Sequence, residues 1–114
     1  MPASKEPPDS HDPLPKLLRL LSGAWTLRVL FQLYDHGPTR YGELKRRLGP
    51  VSTKTLTIRL RELEGEGLVL RHYEPTVPPQ VTYSLTPKTQ DLGPAIVELQ
   101  QVATKWYGES LGNE

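Results

Sequence analysis

Apolar residues recur along this chain at spacings that change from segment to segment, and each change marks an element. Leu17, Leu18, Leu20 and Leu21 predict a short apolar helix that starts at Lys16 and is interrupted by Ser22-Gly23. Trp25, Leu27, Val29, Leu30, Leu33 and Tyr34 carry the helical period into a second helix, which His36-Gly37-Pro38 stops. Tyr41 to Leu48 predicts a third, with Leu44 and Leu48 on one face and Lys45, Arg46 and Arg47 on the others. Gly49-Pro50 ends it. Ser52 has the side chain to cap a fourth helix, whose stripe is Leu56, Leu60 and Leu63 and whose C-terminal turn falls at Gly65 or Gly67. A helix advances about 100° per residue, so Lys54, Thr57, Ile58 and Arg61 fall on the side opposite Leu56. Two cations and a threonine therefore project outward.

After Gly67 the period changes to that of strands. LVLRHYE and QVTYSL, rich in β-branched and aromatic residues, flank PTVPP and predict a β-hairpin. Pro75, Pro78 and Pro79 cannot donate to a ladder, so they belong to a stiff, exposed connecting loop. Thr86-Pro87 reads as a helix start, with a break near Gly93-Pro94 and a long helix continuing to about Trp106 and capped at Gly108. Along it Leu92, Ala95, Ile96, Leu99, Val102, Ala103 and Trp106 form a continuous apolar stripe. The first 15 residues hold five prolines and almost nothing apolar, which predicts a disordered arm over residues 1–15 ahead of a single domain over 16–114. There is no internal repeat.

A chain of 114 residues has room for one modest core, and a small core benefits from a partner chain. No apolar run approaches the roughly 20 residues that cross a bilayer, and the start lacks the apolar middle of a signal peptide. The expected location is the cytosol, away from membranes. With no cysteine, disulfides, thiolate metal sites and thiol redox sensing are excluded. Net charge is only +1, but its distribution is lopsided. Arg40 to Arg61 holds seven cations against Glu43 alone, a local charge of +6, leaving −5 for the rest of the chain. Such a segment suits a polyanion partner, with an ordinary solvated helix face as the alternative.

Three helices, a tight turn, a fourth helix with a basic and hydroxyl face, then a hairpin is the order of a winged helix-turn-helix. The fold class is therefore mainly α with a small β-hairpin (α+β), a winged helix-turn-helix with N- and C-terminal dimerisation helices. The major groove, about 12 Å wide, admits one α-helix whose exposed side chains reach base edges. Lys54 and Arg61 are candidates for guanine edges or phosphates, and Ser52, Thr53, Thr55, Thr57 and Ile58 lie at the start or on the outward face of the same helix. The preceding helix would lie across the phosphate backbone, with Arg40, Lys45, Arg46 or Arg47 supplying positioning contacts. Arg59 sits nearer the apolar stripe, one i, i+3 step from Glu62, so a salt bridge competes with a phosphate contact there. In the wing Arg71, His72 and Gln80 flank the prolines, where groove contact competes with plain solvent exposure.

The stretches GAWTLRVLFQL, RYGELKRRLG, VSTKTLTIRLRELEGEGLV and YEPTVPPQVTYSLTP resemble the HxlR family of bacterial winged-helix transcription regulators, over about Leu17 to Trp106. The most specific part is LTIRLRELEGEGLV followed at this distance by VPPQVTYSLTP. The resemblance implies a homodimer that binds operator DNA near promoters and represses or activates in response to a signal. It places Ser52, Thr53, Lys54, Thr57 and Arg61 at recognition-helix positions. Two residues depart from the family pattern: Gln80 stands where members commonly have a basic residue, and Ala24 where they have a lysine before the tryptophan. Several members sense oxidants through a cysteine near the N-terminus, a mode this chain lacks.

The final apolar stripe is longer than a body of this size covers, which argues for a homodimer. The expected interface is Leu17, Leu18, Leu21, Leu92, Ile96, Leu99, Val102 and Trp106; folding back of the helix onto its own domain is the alternative. A two-fold dimer would set its recognition helices about 34 Å apart, one DNA turn, and so favour an inverted-repeat operator on double-stranded DNA. The competing function is a winged-helix protein-interaction module without specific DNA binding. Enzymatic chemistry lacks its parts: His11, His36 and His72 have no metal-pair spacing, and there is neither a phosphate loop nor a nucleophile elbow. No cofactor is expected. Trp25, Tyr34, Tyr41, Trp106 and Tyr107 are explained by core packing before any effector pocket, so no effector is assigned.

Overall fold

The computed structural model describes residues 12–108. Most of the expected arm and the last residues, 109–114, lie outside that range. Helix α1 spans Leu14–Leu21, two residues earlier than expected. The Asp12 carboxylate accepts the Leu14 amide at 3.1 Å, and Pro15 sits in the first turn, where a missing N–H leaves no hydrogen bond unmade. Ser22 ends the helix by donating its hydroxyl to the Arg19 carbonyl at 2.9 Å.

Helix α2, Thr26–His36, begins one residue later than the apolar pattern implied, because Trp25 lies in the left-handed region with φ 75°. Its Val29, Leu30 and Leu33 are fully enclosed, and Gly37 at φ 78° turns the chain out by donating its amide to Leu33 at 2.9 Å. Strand β1, Thr39–Arg40, comes next and was not foreseen. Helices α3, Tyr41–Leu48, and α4, Thr53–Gly65, follow as expected; the Ser52 hydroxyl accepts the Thr55 amide at 3.0 Å as the N-cap. Leu44 and Leu48 meet Leu56, Leu60 and Leu63 in the core, so both anticipated stripes face inward. Gly67, at φ 76°, lets the Leu68 amide return to the Leu63 carbonyl at 2.9 Å, which closes α4 and launches β2.

Strands β2, Val69–Glu74, and β3, Gln80–Leu85, form the expected hairpin, and β1 joins the free edge of β3 to give a three-stranded antiparallel sheet in the order β1-β3-β2. The register pairs Val69 with Leu85, Arg71 with Tyr83 and Glu74 with Gln80, while Thr39 pairs with Tyr83 and Arg40 with Thr82. Residues directly opposite share a face. Val69, Leu85, Tyr83 and Thr39 therefore close the core from the sheet side, and Arg40, Thr82 and His72 line the outer face.

Thr86 anchors the hairpin base: its hydroxyl donates to the Gly67 carbonyl at 2.8 Å and its amide to Leu68 at 3.1 Å. The last segment is a tight 3-10 turn over Pro87–Leu92, then α5, Gly93–Ala103, then a wider helical turn over Thr104–Gly108. The expected break at Gly93-Pro94 is thus a change of helix type, and the regular α-helix stops before Trp106. Gly93 is required there by close approach: a Cβ at that position would lie 1.9 Å from the Tyr34 ring.

Candidate nucleic-acid interface

The exposed surface of α4 is set by its buried one. With Leu56, Leu60 and Leu63 locked inward, Lys54, Ile58 and Arg61 emerge into solvent on the opposite side, with Thr57 half-buried between them. Neither Lys54 nor Arg61 forms an ion pair with any described residue. Thr53 is exposed in the first turn, and Ser52 is exposed although its oxygen already accepts the Thr55 amide. Thr55 is half-buried beside it. The first turn of α4 carries no acidic side chain of its own to offset its open amides and positive dipole end.

Tyr41 braces α4 from α3. Its hydroxyl lies 3.5 Å from both the Thr53 carbonyl and the Thr57 hydroxyl, and its ring is 6.5 Å from that of Tyr83 on β3. The first residue of α3 thereby fixes the first turns of the next helix, a role that helical spacing had left as core packing. The basic residues of α3 divide. Glu43 accepts both Arg46 and Arg47, the latter at 3.1 Å, whereas Lys45 and Arg40 have no carboxylate partner among the described residues. Arg46, a candidate backbone contact, is therefore partly neutralised, as is Arg47. Arg59 donates from Nη1 to Glu62 at 3.1 Å and from Nε to the Ala24 carbonyl at 2.8 Å. The salt bridge foreseen for it is present, and the second bond reaches a part of the chain that spacing does not connect.

In the wing, Arg71 lies 5.7 Å from the Tyr73 ring and His72 3.7 Å from the Glu74 carboxylate. Gln80 pairs with Glu74 at the neck of the loop and is half-buried, so it sits below the tip, where Val77 is 99% exposed. Of the wing candidates, Arg71 is the exposed cation.

The apolar positions expected at an interface separate into three groups. Leu18, Leu99, Val102 and Trp106 are exposed; Leu17, Leu21 and Leu92 are half-buried; Ile96 is only 6% exposed. Ile96 packs in the chain's own core, where α5 leans on α2. Leu14 and Tyr107, absent from the expected set, are exposed near the same elements. Trp25, Tyr34 and Tyr41 pack on the core as anticipated, whereas Trp106 and Tyr107 do not; their rings meet edge to face at 6.0 Å on the surface.

Two helices joined by a tight turn, the second with an open cationic face, beside a short sheet whose hairpin projects as a wing, define a winged helix-turn-helix protein. The profile of the HxlR-like helix-turn-helix family matches residues 20–111. The chain belongs to that family of transcriptional regulators. It is 43% identical over 88 residues to an uncharacterized HTH-type transcriptional regulator of Halalkalibacterium halodurans, covering 77% of this chain and 78% of the relative. Among solved structures it is similar to a transcriptional regulator of Porphyromonas gingivalis W83 described as of the MarR family, with a TM-score of 0.80, 37% identity, and coverage of 87% of this chain and 96% of the other. It is also similar to the redox regulator HypR in its oxidized form, with a TM-score of 0.76, 31% identity, and coverage of 82% and 96%.

Proposed function

We propose that this protein is a sequence-specific double-stranded DNA-binding regulator of transcription, acting in the cytosol as a homodimer on an inverted-repeat operator. The observation that carries the reading is the outward face of α4: Lys54 and Arg61 form no ion pair with a described residue and stand beside Ile58 and Thr57, on a helix whose opposite face is locked in the core. Free guanidinium and ammonium groups at this position serve guanine edges or phosphates, and an isoleucine suits a thymine methyl. Lys45, Arg40 and the partly neutralised Arg46 supply backbone contacts on the flank, Ser52, Thr53 and Thr55 do so at the start of α4, and Arg71 reaches from the wing. Gln80, half-buried at the neck, contributes least.

The dimer is supported by the exposed apolar side chains of α1 and of the C-terminal segment. Leu18, Leu99, Val102 and Trp106 form the proposed interface, with Leu17, Leu21 and Leu92 beneath them, and Ile96 supports α5 from within. Whether the bound regulator represses or activates depends on where its operator lies relative to the promoter.

The test is titration of a duplex from the region upstream of the protein's own gene at several salt concentrations. Affinity should fall steeply as salt rises, because neutralised phosphates release counterions. Lys54→Ala and Arg61→Ala should each weaken specific binding by about 1–3 kcal/mol, roughly 5- to 160-fold, while the dimer stays folded. Wild-type affinity in both variants sinks the assignment of α4 as the reading helix.

A further inference from the structure

The corner between α1 and α2 combines three constraints in four residues. Trp25 holds φ 75°, the only positive φ at a non-glycine position among the described residues. Such a conformation persists in a residue with a Cβ only when its surroundings hold it there. Gly23 leaves little room for a side chain: a Cβ would lie 2.9 Å from the Thr26 hydroxyl and 3.2 Å from the Arg59 Nε, so one of these groups would have to shift. The Ala24 carbonyl accepts that same Nε at 2.8 Å, from a residue 35 positions later in the chain. The Trp25 indole packs on the core and carries the Arg28 guanidinium 4.9 Å from its ring centre, so the corner is clasped from both sides.

Arg59 is well placed to hold the corner and poorly placed to touch DNA. Its side chain is 23% exposed, and it lies toward the buried stripe of α4 rather than opposite it. Nε is committed to Ala24 and Nη1 to Glu62, so the planar fork is used across two elements. We propose that Arg59 is a positioning residue that clamps the middle of the recognition helix to the strained α1–α2 corner and so sets the pose in which Lys54 and Arg61 are presented. The clamp ties the helix proposed to read DNA to the corner that directly follows α1, the helix proposed to meet the second copy. A rearrangement of α1 then reaches α4 through a discrete contact, and no cysteine or bound metal is needed for that step.

The inference rests on the DNA reading for its consequence and stands apart from it for its mechanics, so the experiment has two arms, both on the full chain. In the free protein, amide hydrogen exchange is compared between wild type, Arg59→Lys and Arg59→Gln. The clamp predicts exchange about tenfold faster in both variants at the Thr26 amide, which donates to Gly23 at 3.1 Å, and along the second half of α4, with α3 unchanged. Unchanged exchange at the corner overturns the proposal, and so does a uniform rise over the whole molecule, which would mark Arg59 as merely structural. In the second arm the duplex titration is repeated. A positioning residue predicts that Lys and Gln variants bind about tenfold more weakly with the wild-type salt slope, since a lysine cannot reproduce the fork. If the lysine variant binds as wild type and the glutamine variant loses about 0.9 from the log–log salt slope, Arg59 is a phosphate contact and the clamp is wrong. If the wild-type protein binds no duplex, the DNA reading falls, and the exchange arm alone decides the clamp.

Discussion

Single side chains hold this fold at points where an added or lost atom has a definite consequence. Gly93 is the clearest case: Tyr34 occupies the space a Cβ would need, and the approach lets the 3-10 turn pass directly into α5 against α2. Gly93→Ala forces the half-buried Tyr34 ring to move. It should destabilise the protein by about 1–3 kcal/mol, the usual cost of overpacking, and by proximity should loosen α5 first. Thermal unfolding checks it; an unchanged melting temperature would mean that Tyr34 swings away at little cost. The division of cations on α3 and α4 also belongs to this scale. Glu43 holds Arg46 and Arg47, Glu62 holds Arg59, and Lys54 and Arg61 are left facing solvent. Local pairing, more than the number of charges in the segment, separates residues that shape the surface from those offered to a ligand.

At the scale of elements, α1 and α5 differ from the others because much of their apolar surface stays uncovered. Leu18, Leu99 and Val102 are exposed along them, and Trp106, 68% exposed, continues the face beyond the regular helix. Placing a carboxylate there tests the homodimer without touching the core: Leu99→Glu should shift sedimentation from a dimer toward the 12.9 kDa monomer while helical circular dichroism is retained. A variant that stays dimeric would move the interface elsewhere. The helices were legible from sequence wherever the apolar period ran for several turns between strong terminators, as from Tyr41 to Leu48 and from Ser52 to Gly65. Strand β1 was not legible, since two residues carry no period and their pairing partner, Tyr83, lies far along the chain. The packing of Ile96 on the core was not legible for a related reason. The stripe on α5 is wide enough to serve both the chain's own core and a partner, and only the packing of α5 on α2 divides it. Within the candidate site, the outward residues of α4 followed from helical geometry alone. The brace by Tyr41 and the bond from Arg59 to Ala24 are tertiary contacts without a local signature.

For the whole molecule, the arrangement joins one compact reading unit to an apolar face that a second copy can cover. Two such units related by a two-fold axis would present their α4 helices to successive major grooves, about 34 Å apart, and demand an operator with matching symmetry. HypR, a structural neighbour, is a redox regulator; the 114 residues of this chain include no cysteine. The most direct measurement is selection of bound fragments from sheared genomic DNA of the source organism at physiological salt. The account predicts that a small set of fragments is enriched, that they share an inverted repeat with half-sites about one helical turn apart, and that Arg61→Ala erases the enrichment. Recovery of fragments without a common sequence, or with the same enrichment in the variant, would contradict it.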